Sequence, residues 1–289
     1  MENISIIADS GCDLMPKELG RRNVSFTKVP CKITIDGIDY SDDDKLNVPV
    51  MIKRMEISKK AGKTACPSPG EWMEAFEECS GGPVIAITIS HGVSGSFSSA
   101  AAARDMFLDD YPDRKIFVFD SYSCGPAESW YVLETAQMIS SGMKYEDIIS
   151  ELESMRMHSR TEFAFCNFDN LIKAGRMNRI AGLVATKLHI WGVGASVDNS
   201  LKLLKKTRGE TNMVLTILQN LDSRGFSGGL MVIEHCDNRS LADKIAQLVM
   251  EKWPGADIRI VPTRGLCSYY AERGGIIIHC AGTSVTEPN

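Results

Sequence analysis

The stretch PVIAITISHGVSGSFSSAAAARDMF, residues 83–107, runs from a short apolar strand at Val84–Ile89 through a turn crowded with glycines and hydroxyls. It ends in an alanine-rich helix that opens near Ser94. In open α/β sheets ligands sit beyond the carboxyl ends of strands, where loop N–H groups and the positive end of the next helix share one crevice. Residues 90–99 occupy such a place. Gly92 and Gly95 allow close backbone approach, and Ser94, Ser96, Ser98 and Ser99 add hydroxyl donors near the helix start. A carboxylate or phosphate is what this loop is suited to hold, although each serine taken singly is also an ordinary helix cap.

Outward from this unit, strands alternate with helices, the pattern of an α/β protein with a parallel or mixed sheet covered by helices. ISIIAD is a strand, VSFTKVPCKITI extended chain, and DGIDYSDD a turn away from it. Helices are expected at 48–60, 69–79, 126–141 and 144–158, and KIFVFD is a strand between them. A second series follows: strand TEFAFCN, short helix FDNLIKAG, a helix near 180–189, and extended IWGVGASV and LKLLKK. Helix 210–222, strand GLMVIEH, helix 239–252 and strands DIRIVP and GGIIIHC close the chain. Its 289 residues and the polar stretch RMHSRTE place two α/β domains at 1–158 and 159–289.

A net charge of −5 without a long polybasic run favours neither nucleic acid nor an anionic membrane as partner. Nine cysteines with no CxxC pair fit reduced, mostly buried thiols and a cytoplasmic protein, with no metal spacing. The opening MENISIIADS lacks a basic leader and reads as a first strand, and no apolar run reaches membrane-spanning length.

Other strand ends repeat the hydroxyl theme. ADSGCDL places Asp9, Ser10 and Asp13 after the first strand, TACPSPGEW places Thr64 and Ser68 before a helix, and FDSYSCGP places Asp120, Ser121 and Ser123 after another strand. Each loop alone is more often a cap or turn than a ligand site, but together they can converge on one crevice.

In this order IIADSGCDL, TACPSPGEW, HGVSGSFSSA, FDSYSCG, LIKAGRMN, LKLLKKTRG and IIIHCAG resemble, over essentially the whole chain, the DegV family of bacterial fatty-acid-binding proteins. The resemblance implies two α/β domains with a lipid tunnel at their interface. It implies one long-chain fatty acid such as palmitate, stearate or oleate, and a partner fatty-acid kinase that phosphorylates the carboxylate. By this likeness Thr64 and Ser94, in the loop with Gly95 and Ser96, hold the carboxylate, and Arg208 and His279 lie near the head group. Arg176, after Gly175 at the end of a short helix, is placed either to cap the helix carbonyls or to reach an anionic partner. The protein would then be a carrier without cofactor or catalytic residue of its own. The chain departs from the family pattern at Ala174 before Gly175–Arg176, at Trp191–Gly192, at Ala65, and after His279.

An acyl-hydrolysing enzyme is the alternative. Ser94 in HGVSGS has a glycine two residues before it, but Ser96 stands where the nucleophile elbow requires the second glycine. Asp120 or Asp9 with His279 would complete a triad that no local pattern supports. Neither a P-loop nor GxGxxG occurs. His91 is a candidate for the pocket rim.

Overall fold

The computed structural model describes residues 3–20, 24–177, 190–197 and 199–281. Two large sheets face each other across a shared layer of helices. The first is built from β1 (Ser5–Asp9), β2 (Ser25–Val29), β6 (Val84–Thr88) and β7 (Ile116–Asp120) in the order β2-β1-β6-β7, every pair parallel. All five residues of β1 and of β6 are buried, as parallel strands covered on both faces require. Alternation assigns the faces. Ile7, Val84, Ala86 and Val118 pack under α2 (Pro69–Glu77) and α3 (Ser96–Asp110), while Ile6, Ala8, Ile85, Ile87 and Phe119 pack under α4 (Pro126–Ser140) and α5 (Tyr145–His158).

The second sheet takes its strands from residue 159 onward. They are β8 (Ser159–Phe165), β9 (Ile190–Val197), β10 (Ser200–Arg208), β11 (Gly229–His235), β12 (Ala256–Pro262) and β13 (Ile276–Ala281), ordered β10-β9-β8-β13-β11-β12. Only β11–β12 is a parallel pair, so the sheet is mixed. Ala164, Ile233, Ile276 and Ile278 face α7 (Glu210–Ser223) and α8 (Arg239–Lys252), whereas Phe163, Phe165 and Ile277 face the other way with Leu171 of α6 (Asp169–Lys173).

Helix α4 joins the two sheets. It touches β1 and β6 on one side and β8, β11 and β13 on the other. Its composition fits that position: Ala127, Trp130, Tyr131, Val132, Ala136 and Ile139 are buried around most of the helix, and a narrow stripe at Glu134 and Gln137 reaches solvent.

A third, three-stranded sheet in the order β4-β3-β5 comes from β3 (Lys32–Ile35), β4 (Ile38–Ser41) and β5 (Lys63–Ala65). Here the expected turn at DGIDYSDD is a hairpin. Asp36 and Gly37 both have positive φ, 52° and 76°, the Asp-Gly signature of a two-residue hairpin turn, and IDYS is strand β4. Two further elements, β5 and α9 (Gly265–Ala271), are too short to leave a periodic pattern in the sequence. Helix α9 lies on α1 (Val48–Ile57), α6 and β3, so a late segment of the chain packs on an early one. Its first N–H groups are held by Asp42, which accepts from Gly265 at 2.9 Å and Leu266 at 2.7 Å. The helix expected near 180–189 lies outside the described residues.

Candidate functional site

A cavity of about 100 Å³ opens between the sheets at the carboxyl ends of β1 and β6. Its apolar wall is Phe163, Phe165, Leu171, Leu201, Leu266 and Ile277. Small residues, among them Gly11, Ala65, Cys31 and Cys124, make another part of the wall.

Polar groups gather on one part of this lining. Strand β5 carries Thr64, whose Oγ1 is 2.7 Å from the Tyr270 hydroxyl of α9. Loop 89–95 carries Ser94, whose Oγ accepts the Ser96 N–H at 3.2 Å and whose own N–H donates to the Ser90 carbonyl. Gly95 meets the residue after β5 closely: a Cβ there would stand 3.3 Å from Cys66 Sγ. Arg176 closes the group, donating from Nε to the Val93 carbonyl at 3.0 Å and from Nη1 to the Ala174 carbonyl at 2.6 Å. Two hydroxyls, a phenol and a guanidinium thus border an apolar cavity. That arrangement can orient an anion at the end of an apolar body.

The loop is held from beneath by Asp9. This buried carboxylate accepts the Gly11 N–H at 2.8 Å and the Ile89 N–H at 3.0 Å, tying the ends of β1 and β6 together. Burial raises its pKa, while these bonds and the Ser96 hydroxyl act in the opposite direction. Ser68, by contrast, is a helix cap: it forms a capping box with Glu71 at the start of α2.

Thr64, Ser94, Gly95 and Arg176 all line the cavity. Ser96, Arg208 and His279 do not. Ser96 is fully buried at the first turn of α3 beside Asp9. Arg208 ends the outermost strand β10 opposite Ile190, with its side chain exposed. His279 lies one layer behind the wall, opposite Thr161 in the β13–β8 pair, with its Nδ1 3.3 Å from Thr161 Oγ1 and its ring 4.8 Å from Trp130. Ile277 shares its face of β13 and reaches the cavity, but α4 covers His279 with Trp130. Burial lowers the imidazole pKa to about 3 and keeps it neutral.

His91 sits on the far side of the loop. Its Nδ1 bonds the Asp120 carboxylate, and it lines a separate surface groove with Phe97, Ser98, Tyr122 and Arg156. Tyr270 has no sequence signal of its own, since α9 is short and leaves no periodic pattern. The helix end at Ala174–Gly175 accounts for the capping bond of Arg176 to the Ala174 carbonyl, whereas the Val93 carbonyl that draws it to the cavity is 83 positions away.

All nine cysteines are free. No helix among the described residues is long and apolar enough to cross a membrane.

Similar proteins carry the same architecture. A DegV domain-containing protein of Streptococcus pneumoniae is 35% identical over 274 residues, 94% of this chain and 97% of the relative. The crystal structure of the Streptococcus pneumoniae Fatty Acid Kinase (Fak) B3 protein loaded with linoleic acid matches with a TM-score of 0.91 and 33% identity, covering 97% of this chain and 100% of that one. A DegV family protein from Eubacterium eligens loaded with heptadecanoic acid matches with the same TM-score, identity and coverage. The model of the family described as "Uncharacterised protein, DegV family" matches residues 3–279, so with the fold and these relatives in agreement, the chain belongs to the DegV family.

Proposed function

We propose that this protein binds one long-chain fatty acid between its two sheets and offers the carboxylate to a partner fatty-acid kinase. The observation that carries the proposal is the apolar cavity bordered by Thr64, Ser94, Tyr270 and Arg176, in a fold whose relatives hold linoleic and heptadecanoic acids. The tail supplies most of the affinity, at about 0.8 kcal/mol per buried methylene. The hydroxyls and the Arg176 guanidinium fix the head group. A carboxylate held by donors at a cavity mouth keeps an oxygen free to attack a phosphoryl group, and the name of the Fak B3 relative supports a kinase as partner.

The protein acts as a carrier in this reading. A hydrolase would need a base on Ser94, yet among the described residues its hydroxyl has the Ser96 N–H as partner. His279 is buried behind Thr161, and His91 is engaged with Asp120 in the groove.

Native mass spectrometry of the purified protein, followed by solvent extraction, tests the binding step. One equivalent of fatty acid is expected, and delipidation should lower the melting temperature, since a ligand of the folded state stabilises it by linkage. Recovery of no acid, together with a melting temperature unmoved by added oleate or palmitate, would overturn the carrier reading. For the kinase step, the loaded protein is incubated with ATP and the catalytic subunit of a bacterial fatty-acid kinase, and acyl phosphate is trapped with hydroxylamine. Hydroxamate should form, and its absence with a subunit active on its own carrier would remove the kinase from the proposal.

A further inference from the structure

Below the small-residue wall of the cavity lies a group of buried side chains that lipid binding does not use. Asp13 follows β1, Glu234 is the penultimate residue of β11, and Cys267 belongs to α9. One carboxylate oxygen from each acid and the Cys267 sulfur all lie within 4.8 Å of one another. Asp13 is 5% exposed, Glu234 0% and Cys267 5%. None of the four carboxylate oxygens accepts a hydrogen bond of ordinary geometry from the protein, although each acid has two that burial should oblige it to satisfy. Free buried carboxylates of this kind are costly unless something positive stands against them.

The backbone leaves room at this place. Gly125, with φ of 62°, has no side chain where a Cβ would come within 3.0 Å of Glu234 Oε2 and 3.4 Å of Cys267 Sγ. The Gly11 carbonyl, which accepts the Gly125 N–H at 2.9 Å and the Cys267 thiol at 3.6 Å, stands beside Cys267. Nearby cations are otherwise committed: Lys28 Nζ donates to the Cys12 carbonyl, and Arg264 Nη2 donates to the Asp43 carbonyl.

We propose that Asp13, Glu234 and Cys267 form a binding site for a thiophilic divalent cation such as Zn²⁺, which ties the first sheet, the second sheet and α9 together beneath the cavity. Two carboxylates and a thiol are a donor set that zinc accepts, and carboxylates alone would instead suit magnesium or calcium. Binding displaces to solvent the thiol proton and the proton that the two buried acids hold between them when the site is empty. Two carboxylates and a thiolate then balance the metal and the nearby Lys28 ammonium, whose charge acts on Asp13. Sequence spacing hides the site, since its residues come from three distant segments.

The chief competitor is a shared proton, because Asp13 and Glu234 are close enough to bond each other and burial raises both carboxyls. The experiment separates the two. Chelator-treated full-length protein is titrated anaerobically with Co²⁺ and with Zn²⁺, with metal content read by elemental analysis, cobalt coordination by the thiolate-to-cobalt charge-transfer band, and melting temperature by calorimetry.

One equivalent of metal should bind, the charge-transfer band should appear, and the melting temperature should rise by several degrees. Cys267→Ser should abolish the band and weaken Zn²⁺ binding at least about 100-fold, and Glu234→Gln should weaken it comparably, with circular dichroism checking that each variant is folded. Failure of the folded wild type to bind stoichiometric metal, with an infrared carboxylic-acid band that Glu234→Gln alters, overturns the proposal in favour of a shared proton. Equal metal affinity in wild type and Cys267→Ser overturns it too. Neither result bears on whether the cavity holds a fatty acid.

Discussion

Ser94 and Ser98 are four residues apart, yet the loop and α3 carry them to opposite sides: Ser94 lines the cavity, while Ser98 lines the groove with His91 and Tyr122. A hydrogen bond to a charged group is worth roughly 1.5 to 3 kcal/mol, so Ser94→Ala should weaken fatty-acid binding by about 10- to 150-fold. Ser98→Ala should change it little. Thr64→Ala should resemble Ser94→Ala, and the double variant should lose less than the sum because both hydroxyls grip one group. Displacement of a fluorescent fatty acid measures all four proteins, and wild-type affinity in Ser94→Ala and Thr64→Ala would reduce both hydroxyls to structural roles.

Glu162, between the cavity-lining Thr161 and Phe163 on β8, points to the other face of the strand and makes stability depend on pH. Burial pushes its carboxyl up to about 7 from the usual 4.5, against the pull of Arg224 and Asn220. Between those two values the folded state binds the proton that the unfolded chain releases. The contribution is therefore complete below about 4.5 and is lost as pH rises through 7, a change of roughly 3 kcal/mol at most. Glu162→Gln should flatten the fall in melting temperature between about pH 5 and pH 8 relative to wild type. An unchanged slope would show that the carboxylate is ionised throughout in the folded state.

At the scale of elements, the turn of the β9–β10 hairpin meets loop 89–95. Its turn residue Asn199 accepts the Ser90 hydroxyl at its carbonyl, 3.2 Å away, and Ser196 on β9 donates to the Tyr122 carbonyl at 2.9 Å. Gly92 makes this approach possible, because a Cβ there would stand 1.8 Å from the Asn199 oxygen. A backbone atom cannot yield as a flexible side chain does. Gly92→Ala should lift the hairpin turn, cost about 1–3 kcal/mol and speed ligand exchange, since Leu201 of the same hairpin lines the cavity. Stopped-flow exchange of a fluorescent fatty acid reads the effect, and an unaltered rate would mean that the hairpin does not retain the ligand.

Across the whole molecule, stability and binding meet at Asp42. Its carboxylate holds the start of α9 across more than two hundred residues of chain, and α9 carries both Cys267 and the Tyr270 that bonds Thr64. Asp42→Ala strands two N–H groups in a buried setting and should destabilise by about 1–3 kcal/mol, with weaker fatty-acid binding as α9 loosens. Calorimetry and ligand displacement on the same protein check the coupling. A lower melting temperature with wild-type affinity would separate the anchor from the site.

Much of this molecule is legible from its chain of letters, because strand and helix patterns reflect neighbours a few residues apart. The β6 strand, its glycine and serine loop and α3 follow from residues 83–107, and Thr64, Ser94 and Gly95 are recognisable from their motifs and do line the cavity. The turn at Asp36–Gly37 is equally local and legible, and only the pairing of IDYS back onto β3 is added by the structure. What only the tertiary structure decided are the meetings between distant segments. The order β10-β9-β8-β13-β11-β12, the covering of His279 by Trp130, the arrival of Arg176 and Tyr270 at the cavity, and the gathering of Asp13, Glu234 and Cys267 are of this kind. The physical reason is that periodicity assigns a residue to a face, whereas the packing of α4 between two sheets decides what that face meets.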